Sequence, residues 1–314
     1  MTVSELIFIV NPMAANGKSF KIWGEVKQFL DNEGIDYEFY LTKYPNHAIE
    51  ITERIAQELD CRSVVVAVGG DGTIHEVING LKTFPDTKIA FIPAGSGNDF
   101  SRGYSIPKDP LSAIQLIINN KANISLIDIG NCRIGKKQIS TLFVNSVGVG
   151  FDAVVSKVAN QSKLKKYLNL VGLGGLIYIV ALLKVLFVYK PTNVKLMIDD
   201  RHFQYKNVWF ITVSNQQYYG GGMKISPAAC PNDGLLNIMV IHEISPLKIL
   251  MIFGSVFFGK HIHFSQVKQH IGKSITIEPE LPIPVHADGE LIGHSPVYIS
   301  IETKKQPLIS VNTE

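Results

Sequence analysis

The sequence predicts an α/β domain built on a parallel sheet, followed by a second domain of mainly antiparallel β-structure. The chain has 314 residues, and at about 150 residues per domain this length favours two domains. Strand and helix patterns alternate over residues 1–125, as expected when helices cover a parallel sheet. Beyond residue 125 the pattern changes to strand-like stretches separated by turn residues, which indicates antiparallel pairing.

Four predicted strands of the first domain are each followed by a predicted helix. Apolar, β-branched runs predict the strands, and apolar residues at helical spacing predict the helices. The strands cover residues 5–10, 37–41, 63–68 and 89–93, and the helices cover residues 18–30, 47–59, 73–81 and 111–119. Ligands of such sheets bind at the carboxyl ends of the strands, so the loops that follow the strands are the candidate binding loops.

The second domain is assigned to residues 126–299 and is predicted to be a sandwich or a barrel with helical insertions. Its predicted strands cover residues 125–134, 138–145, 194–198, 207–214, 234–242, 274–278, 283–287 and 297–302. The last residues, from about 300 to 314, are expected to return to the first domain.

The composition is apolar for a soluble protein. Charged residues make up 18% of the chain, against about 25% in an average soluble domain, and the mean hydropathy is +0.16. The net charge of +3 is smaller than nucleic-acid binding would require. Low charge with ordinary glycine and proline content excludes a disordered, collagenous or coiled-coil chain. The choice is then between an integral membrane protein and a globular protein with affinity for lipid.

The sequence favours a cytoplasmic protein. Its first apolar run, residues 6–10, has no basic segment before it and stops at Asn11, which predicts a buried strand and not a signal peptide. Cys61, Cys132 and Cys230 are far apart and form no C-x-x-C pair. They predict neither a disulfide framework nor a cysteine zinc site.

One uncharged stretch, residues 167–183, has about the minimum length for spanning a bilayer. Its first half contains three glycines, so only its second half is predicted as a helix. Three interpretations remain open: a core helix, a helix in the membrane interface and a spanning helix, in decreasing order of preference. A second apolar run covers residues 249–258. Three lysines precede the first run: Lys163, Lys165 and Lys166. They either lie at a solvent-exposed helix end or bind anionic lipid head groups.

The third predicted strand runs into the string GGDGT at residues 69–73. Glycines let backbone N–H groups point at an anion, and the N-terminus of the following helix adds positive potential, so this loop fits a phosphate group. Asp71 in the middle of the loop would repel bare phosphate, which suggests an intervening Mg²⁺ ion or a water molecule held by one. The alternative is an ordinary β-turn with a helix cap.

Two further loops, at residues 11–18 and 93–100, follow neighbouring strands, and the three loops together predict one phosphate-binding site. The candidate binding residues in these two loops include Lys18, Gly95 and Asn98. The chain contains no Walker A string, which argues against a P-loop fold. Residues 148–153 match the dinucleotide pattern G-x-G-x-x-A, but they lie in the β-rich half without a βαβ unit. We interpret this match as accidental.

Four ordered motifs make the chain resemble the bacterial diacylglycerol kinase and lipid kinase family over essentially its whole length. The motifs are GGDGT with Glu76 and Asn79, PAGSGNDF at 93–100, GGG at 220–222 with Pro227 and the DGL of 233–235, and DGE at 288–290. The resemblance implies an α/β nucleotide-binding domain like that of the NAD kinases and a β-sandwich domain for the lipid. It also implies transfer of the γ-phosphoryl group of ATP to a lipid hydroxyl, most readily diacylglycerol giving phosphatidic acid.

The resemblance assigns residues to three roles. The positions that match the nucleotide site are Asn11, Thr42, Gly69, Gly70, Asp71, Gly72, Thr73, Glu76 and Ser96, the last of which is threonine in most relatives. The positions that match a structural Mg²⁺ site, formed by one carboxylate and backbone carbonyl groups, are Cys230, Asp233 and Leu235. The expected catalytic residues are Asp71, Asp288 and Glu290, with Glu290 as the proton acceptor.

The residues alone leave open whether Asp288 or Glu290 is the base. An extended strand would hold both carboxylates on one face, whereas a turn at Gly289 would separate them. Either carboxylate could take a proton from an alcohol during phosphoryl transfer.

The expected cofactors are ATP and Mg²⁺. The expected partners are a lipid substrate and the inner face of the membrane, and no nucleic acid is expected. The relatives suggest a homodimer. Two other functions are weighed. A soluble metabolite kinase of the NAD kinase type would have a less apolar composition. A catalytically silent regulator that binds lipid or nucleotide is disfavoured because Asp71, Asp233 and Glu290 are all present.

Overall fold

The computed structural model describes residues 5–119, 123–135, 140–162 and 176–311. The chain divides into two compact units. The first unit contains Met1–Ile127 together with Lys304–Glu314, and the second contains Asp128–Thr303.

The first unit is a parallel sheet with helices between its strands. Its elements in chain order are β1 (Leu6–Val10), α1 (Lys18–Glu33), β2 (Tyr37–Leu41), α2 (His47–Ala56), β3 (Val64–Gly69), α3 (Asp71–Gly80), β4 (Lys88–Pro93), α4 (Asp99–Gly103) and α5 (Pro110–Ile118). The strand order is β2-β1-β3-β4, and these pairs are all parallel. The predicted α/β class is therefore confirmed for this unit.

The sheet of the first unit is buried because its central strands carry nearly continuous apolar side chains, as parallel strands under helices do. β1 and β3 are buried along their whole length. α1 packs on the sheet through Trp23, Val26 and Leu30, which lie on one stripe of the helix. The Trp23 ring lies 4.9 Å from the ring of Phe8 on β1, measured between centroids.

The second unit is mainly antiparallel β-structure, as predicted. Its elements are β5 (Asn123–Ile134), which starts in the first unit, β6 (Ser140–Phe143), β7 (Ser146–Gly150), α6 (Phe151–Gln161), α7 (Leu176–Leu186), β8 (Thr192–Ile198), β9 (Arg201–Ser214), β10 (Leu236–His242), α8 (Pro246–Val256), β11 (Val267–Gly272), β12 (Ser274–Pro279), β13 (Pro284–Ala287), β14 (Glu290–His294) and β15 (Val297–Ser310).

Antiparallel pairing links the strands of the second unit in the order β14-β13-β7-β9-β8-β12-β15. β9 also pairs with β10, and β10 with β11. The last residues of β15 belong to the first unit, where Leu308 pairs in parallel with Ile89 of β4.

The α-helices described in the second unit share one apolar cluster. Its buried members include Ala159 of α6, Leu186 of α7 and Ile252 of α8. Among the residues that the structure describes, no helix has the length and apolar composition to cross a bilayer. α7, the described part of the first apolar stretch, packs at least one face against this cluster. Lys163, Lys165 and Lys166 and residues 167–175 lie outside the described residues.

The second half of the chain differs in detail from the sequence prediction. The predicted strand 138–145 is the short β6, and residues 148–153 complete β7 and begin α6. Two glycines in β7 lower its strand propensity, which hid it from the sequence pattern. Both partners of β7 are antiparallel, so no βαβ unit surrounds residues 148–153. The edge strands β11 and β14 also escaped prediction, because strands with one free edge carry more polar residues.

Candidate functional site

The carboxyl ends of β1, β3 and β4 meet at one edge of the first unit's sheet. The backbone N–H of Asn11 donates to the carbonyl of Val68 at 3.0 Å, and the N–H of Ala94 donates to the carbonyl of Gly69 at 2.7 Å. The structure thus brings together the three loops that carry the predicted phosphate-binding residues.

Two glycines let the loops after β3 and β4 touch. A Cβ atom on Gly95 would lie 2.4 Å from the Cα of Gly70, and a Cβ on Gly70 would lie 3.2 Å from the Cα of Gly95. The backbones therefore approach at a distance that side chains would prevent. Gly69 is similarly constrained, because a Cβ there would lie 2.2 Å from the hydroxyl of Thr73.

Asp71 is the first residue of α3, and Gly72 is the second. One carboxylate oxygen of Asp71 accepts a hydrogen bond of 2.8 Å from the backbone N–H of Phe100. This bond ties the loop after β3 to the start of α4. The Phe100 amide is a contact that the sequence pattern does not reveal.

Asn11 joins the loop after β1 to α3. Its side-chain amide donates to the hydroxyl of Thr73 at 3.3 Å, and its side-chain oxygen accepts from the backbone N–H of Met13 at 3.1 Å. Thr73 is buried. These two predicted nucleotide residues therefore fix the relative position of their loops.

Asn98 closes the loop after β4. Its side-chain oxygen accepts from the N–H of Gly95 at 2.9 Å, and its amide donates to the carbonyl of Gly95 at 3.0 Å. Asn98 itself has a positive φ of 52°, which asparagine tolerates better than most residues. Ser96, at the tip of the loop, is exposed, and its hydroxyl has no hydrogen-bond partner among the described residues.

Two helix N-termini at this edge are open to an anion. Neither Gly17 before α1 nor Gly70 before α3 has a side chain that caps its helix, and both N-termini carry the positive end of a helix dipole. The N–H of Lys18 donates to the carbonyl groups of Ala14 and Ala15, so the candidate donors of α1 are the N–H groups that follow it in the first turn. α1 begins at Lys18, which is exposed, and the preceding Gly17 has a φ of 86°. An anion such as a phosphate fits these donors.

Glu76 and Thr42 lie at the same side of the sheet. Their hydrogen bonds go to backbone groups of the protein and hold neighbouring segments in place. The two carboxylate oxygens of Glu76 accept from the backbone N–H groups of Asn46 and Ala48, each at 3.0 Å. Glu76 therefore caps the N-terminus of α2. Thr42 is buried and its backbone N–H donates to Val10 at 2.9 Å.

The DGE segment of the second unit forms a turn between β13 and β14. Asp288 and Gly289 have positive φ angles of 49° and 91°. The carboxylate of Asp288 accepts three backbone hydrogen bonds, from Val144 at 3.0 Å, Asn145 at 2.8 Å and Ser146 at 3.0 Å. Asp288 thus fastens the turn to the segment between β6 and β7.

Glu290 begins β14 and is exposed. Within the described residues its carboxylate has no hydrogen-bond or ion-pair partner. The turn at Gly289 therefore separates the two carboxylates that the sequence could not rank: Asp288 is bound by backbone donors, and Glu290 faces solvent.

A second acidic pair consists of Asp233, in the loop before β10, and Asp128, on β5. One oxygen of Asp233 accepts the N–H of Leu235 at 2.9 Å, and Asp128 accepts the N–H of Gly234 at 2.7 Å. Partial burial, and secondarily the charge of Asp128, raises the pKa of Asp233. A cation would relieve this cost, and the hard oxygen donors of the loop suit Mg²⁺.

Of the three residues predicted to form the Mg²⁺ site, Cys230, Asp233 and Leu235, only Asp233 has a side chain with oxygen donors for the ion. The thiol of Cys230 donates to the side-chain oxygen of Asn232 at 3.0 Å. The described chain holds no cluster of three or more histidine, cysteine or acidic residues that could bind a metal by side chains alone. A cation here would therefore depend on backbone carbonyl groups as well as on Asp233.

Asn215 connects the acidic loop with the DGE turn inside the second unit. Its side-chain amide donates to the carbonyl of Asp128 at 2.8 Å and to the carbonyl of Val144 at 3.3 Å. Its backbone N–H donates to the carbonyl of Asn145 at 2.9 Å. Neither Asp128 nor Asn215 is predicted as a site residue by a sequence motif, although an aspartate inside an apolar strand was a usable signal for the former.

Two family models match consecutive parts of the chain. Residues 5–132 match the diacylglycerol kinase catalytic domain. Residues 145–309 match the YegS C-terminal NAD kinase beta sandwich-like domain.

Curated relatives and solved structures agree with these matches. The "Putative lipid kinase YtlR" of Bacillus subtilis (strain 168) is 34% identical over 94% of this chain and 96% of its own length. A diacylglycerol kinase of Mycobacterium tuberculosis is 27% identical over 95% of this chain and 92% of its own length. The crystal structure of a "putative diacylglycerol kinase" from Bacillus anthracis str. Sterne has a TM-score of 0.79 and 25% identity, covering 99% of this chain and 96% of that one.

Proposed function

The chain belongs to the bacterial diacylglycerol kinase and lipid kinase family, and from that membership we propose that it transfers the γ-phosphoryl group of ATP to the hydroxyl of a membrane lipid. The observation that carries this proposal is the contact between Gly70 and Gly95 beside the uncapped N-terminus of α3. Bare backbone at a helix N-terminus is the arrangement that binds the phosphate chain of a nucleotide.

In this proposal the first unit holds ATP. Backbone N–H groups of residues 70–72, within the loop 69–73, and the N-terminus of α1 bind the phosphates, and Lys18 and Ser96 add exposed polar groups. Asn11, Thr42 and Glu76 support the site by fixing the loops around it. The resident ion, Mg²⁺, would neutralise phosphate oxygens, and Asp71, in the loop after β3, is the carboxylate that would hold it.

Glu290 is the proposed proton acceptor. As the lipid hydroxyl attacks the γ-phosphorus, its proton passes to the Glu290 carboxylate and ADP leaves. Asp288 is a poorer base because three backbone N–H groups already bind its oxygens, and such bonds stabilise the charged form. Asp288 therefore acts by holding the turn. Asp233, with the carbonyl groups of Cys230 and Leu235, is the proposed second Mg²⁺ site.

Diacylglycerol is the proposed acceptor, with phosphatidic acid as product. Support comes from the names of several relatives, including the one from Mycobacterium tuberculosis. Phosphatidylglycerol and sphingoid bases offer the same kind of hydroxyl and are the alternatives that a substrate panel separates.

We propose further that the protein is cytoplasmic, binds the inner face of the membrane peripherally, and reaches it through α8. Leu247, Met251 and Phe258 follow one stripe of this helix and the turn after it, and they are 69%, 61% and 77% exposed. Residues 244–277 contain no aspartate or glutamate, while Lys248 and Lys260 flank the stripe. Exposed apolar side chains beside lysines suit a bilayer with anionic head groups.

Sedimentation with vesicles tests the membrane contact. Replacing Met251 and Phe258 by aspartate should abolish binding to vesicles of phosphatidylglycerol and phosphatidylcholine, whereas Leu281→Asp, a change at another exposed leucine, should leave it intact. A lipid-free sedimentation coefficient that falls in the double variant would instead assign this stripe to a homodimer. Equal binding by wild type and double variant would contradict the proposal.

Radiolabelled ATP and Mg²⁺ with a panel of lipids in mixed micelles test the reaction. Labelled phosphatidic acid is expected from the wild type and not from Glu290→Gln, while Glu278→Gln, at an exposed glutamate of β12, should keep full activity. Labelling of NAD and of no lipid would favour the soluble metabolite kinase. ATP binding without transfer to any acceptor would favour a silent regulator, and either result would overturn the lipid kinase proposal.

A further inference from the structure

The DGE turn rests on a buried histidine to which neither the sequence nor the proposed reaction gives a role. His286 lies in β13, two residues before Asp288, and is almost fully buried. Its Nδ1 atom accepts a hydrogen bond of 3.2 Å from the backbone N–H of Gly289. Gly289 is the second of the two turn residues and directly precedes Glu290, so this bond helps to set the direction in which the chain leaves for Glu290.

The other ring nitrogen of His286 faces a buried carboxylate. Its Nε2 atom lies 3.4 Å from Oδ2 of Asp152, and the two side chains are 3% and 7% exposed. Neither atom has a hydrogen-bond partner elsewhere in the described part of the chain. Asp152 lies in the first turn of α6, and its Oδ1 accepts the N–H of Ala153 at 2.8 Å.

Gly148 makes room for this pair. It stands opposite His286 in the pairing of β7 with β13, and a Cβ on it would lie 2.1 Å from Oδ2 of Asp152 and 2.2 Å from Nε2 of His286. Gly150, with a φ of 109°, turns the chain from β7 into α6. The G-x-G-x-D string that matched a dinucleotide pattern is thus explained by the room and the turn that the pair needs.

The two contacts determine which nitrogen of His286 carries the proton. Because Nδ1 accepts the N–H of Gly289, it is unprotonated, and the neutral ring keeps its proton on Nε2. That proton faces the Asp152 carboxylate, which favours this tautomer. The partner of one ring nitrogen commonly fixes the state of the other in this way.

We propose that Asp152 and His286 are positioning residues for the transfer reaction. Asp152 holds the imidazole in the Nε2–H tautomer, Nδ1 therefore keeps the N–H of Gly289, and Glu290 is presented in one orientation. This inference rests on the proposed lipid kinase function and adds residues that touch neither ATP nor lipid in that proposal.

A double-mutant cycle separates positioning from general stability. In Asp152→Asn the new amide can donate a hydrogen bond to Nε2 of His286, which favours the tautomer with its proton on Nδ1. That Nδ1–H then points at the N–H of Gly289, and the hydrogen bond between them is lost. The kcat should fall about tenfold or more, the size typical of lost orienting partners, with the KM for ATP unchanged. In His286→Asn the amide oxygen replaces Nδ1 as an acceptor and has no tautomer to choose. Adding Asp152→Asn to His286→Asn should therefore lower kcat by less than about threefold.

The matched control is His270→Asn, a histidine on β11 whose ring contacts Tyr205 at 2.6 Å. It should keep the wild-type kcat. An unchanged kcat in Asp152→Asn, or the same fold-loss from Asp152→Asn in both backgrounds, would overturn the positioning role. Melting temperatures of all variants identify any loss that comes from unfolding.

Long-range ¹H–¹⁵N spectra of histidine-labelled protein test the tautomer without ATP or lipid. The signals that disappear in His286→Asn should show the Nε2–H tautomer in the wild type, and a shift towards Nδ1–H in Asp152→Asn. An Nδ1–H or doubly protonated ring in the wild type at neutral pH would overturn the inference. If the wild type phosphorylates no lipid but its spectrum shows Nε2–H, the proposed function fails while the contact between the two residues stands.

Discussion

The backbone N–H of Phe100 donates a hydrogen bond of 2.8 Å to the carboxylate of Asp71. This bond joins the first residue of α3 to α4 and so connects the loops after β3 and β4. It also explains how an acidic residue is tolerated in a loop that we propose to bind phosphate. One oxygen of Asp71 thus has a structural task, while the carboxylate still brings a negative charge to this loop.

Asp71→Asn and Asp71→Ala should separate these two tasks. Asparagine keeps an oxygen for the N–H of Phe100 but removes the charge, whereas alanine removes both. We expect both variants to lose kinase activity, and Asp71→Ala alone to lose about 1–3 kcal/mol of unfolding free energy, the cost of an unpaired buried donor. Urea unfolding and a kinase assay check this. Full activity in Asp71→Asn would show that the charge is not needed.

Gly95→Ala tests the contact between the two glycine loops. The new methyl group would lie 2.4 Å from the Cα of Gly70, so the loops must move apart, at a cost of about 1–3 kcal/mol. The KM for ATP should rise, because the backbone donors on both loops shift. Gly24→Ala in α1 is the control: nothing lies within 4 Å of its added Cβ, and it should stabilise the helix by up to about 1 kcal/mol. An unchanged KM for ATP in Gly95→Ala would contradict the assignment of these loops to the nucleotide.

The first unit was predictable because its signals are local. β1, β3 and β4 are short apolar runs, the long helices have apolar stripes, and loops with glycine follow these three strands, so neighbouring residues are enough to read the order of elements. Parallel pairing then places the loop of Gly70 beside the loop of Gly95 without further information. The contact of Asp71 with Phe100 was not predictable, since it depends on the backbone path 29 residues later.

The second unit was less predictable because its site depends on distant pairs. Asp128 was assigned to a strand, which is correct, but its contact with Gly234 spans 106 residues. Asp288 meets Asn145 across 143 residues, which is why the sequence could not choose between Asp288 and Glu290. The tertiary structure distinguishes the two carboxylates, because three backbone donors bind that of Asp288.

Asp288→Asn and Glu290→Gln should differ in stability. The amide of Asp288→Asn places N–H donors against the N–H groups of residues 144–146, so we expect a loss of about 1–3 kcal/mol in unfolding free energy. Glu290→Gln changes an exposed side chain and should stay within about 0.5 kcal/mol of the wild type, while kcat falls by about 10²–10⁴. Chemical denaturation and steady-state kinetics on both variants are the measurements. A stable, fully active Glu290→Gln would remove Glu290 from the reaction.

Removal of Mg²⁺ should expose the charge repulsion at Asp233. Its pKa is raised in the folded protein above the ordinary value of 3.8, by burial and by Asp128. As pH rises above 3.8, the unfolded chain loses this proton first, so the group lowers the stability of the metal-free fold, and the loss is complete once pH exceeds the raised folded pKa. In EDTA, Asp233→Asn should therefore melt above the wild type at pH 7.5, and this difference should shrink towards pH 4.

Added Mg²⁺ should raise the melting temperature of the wild type at pH 7.5 by binding the folded state, and should not raise that of Asp233→Asn. The control Asp200→Asn, at an exposed residue between β8 and β9, should keep the wild-type response to Mg²⁺. A Mg²⁺ response that survives Asp233→Asn would place the stabilising ion elsewhere.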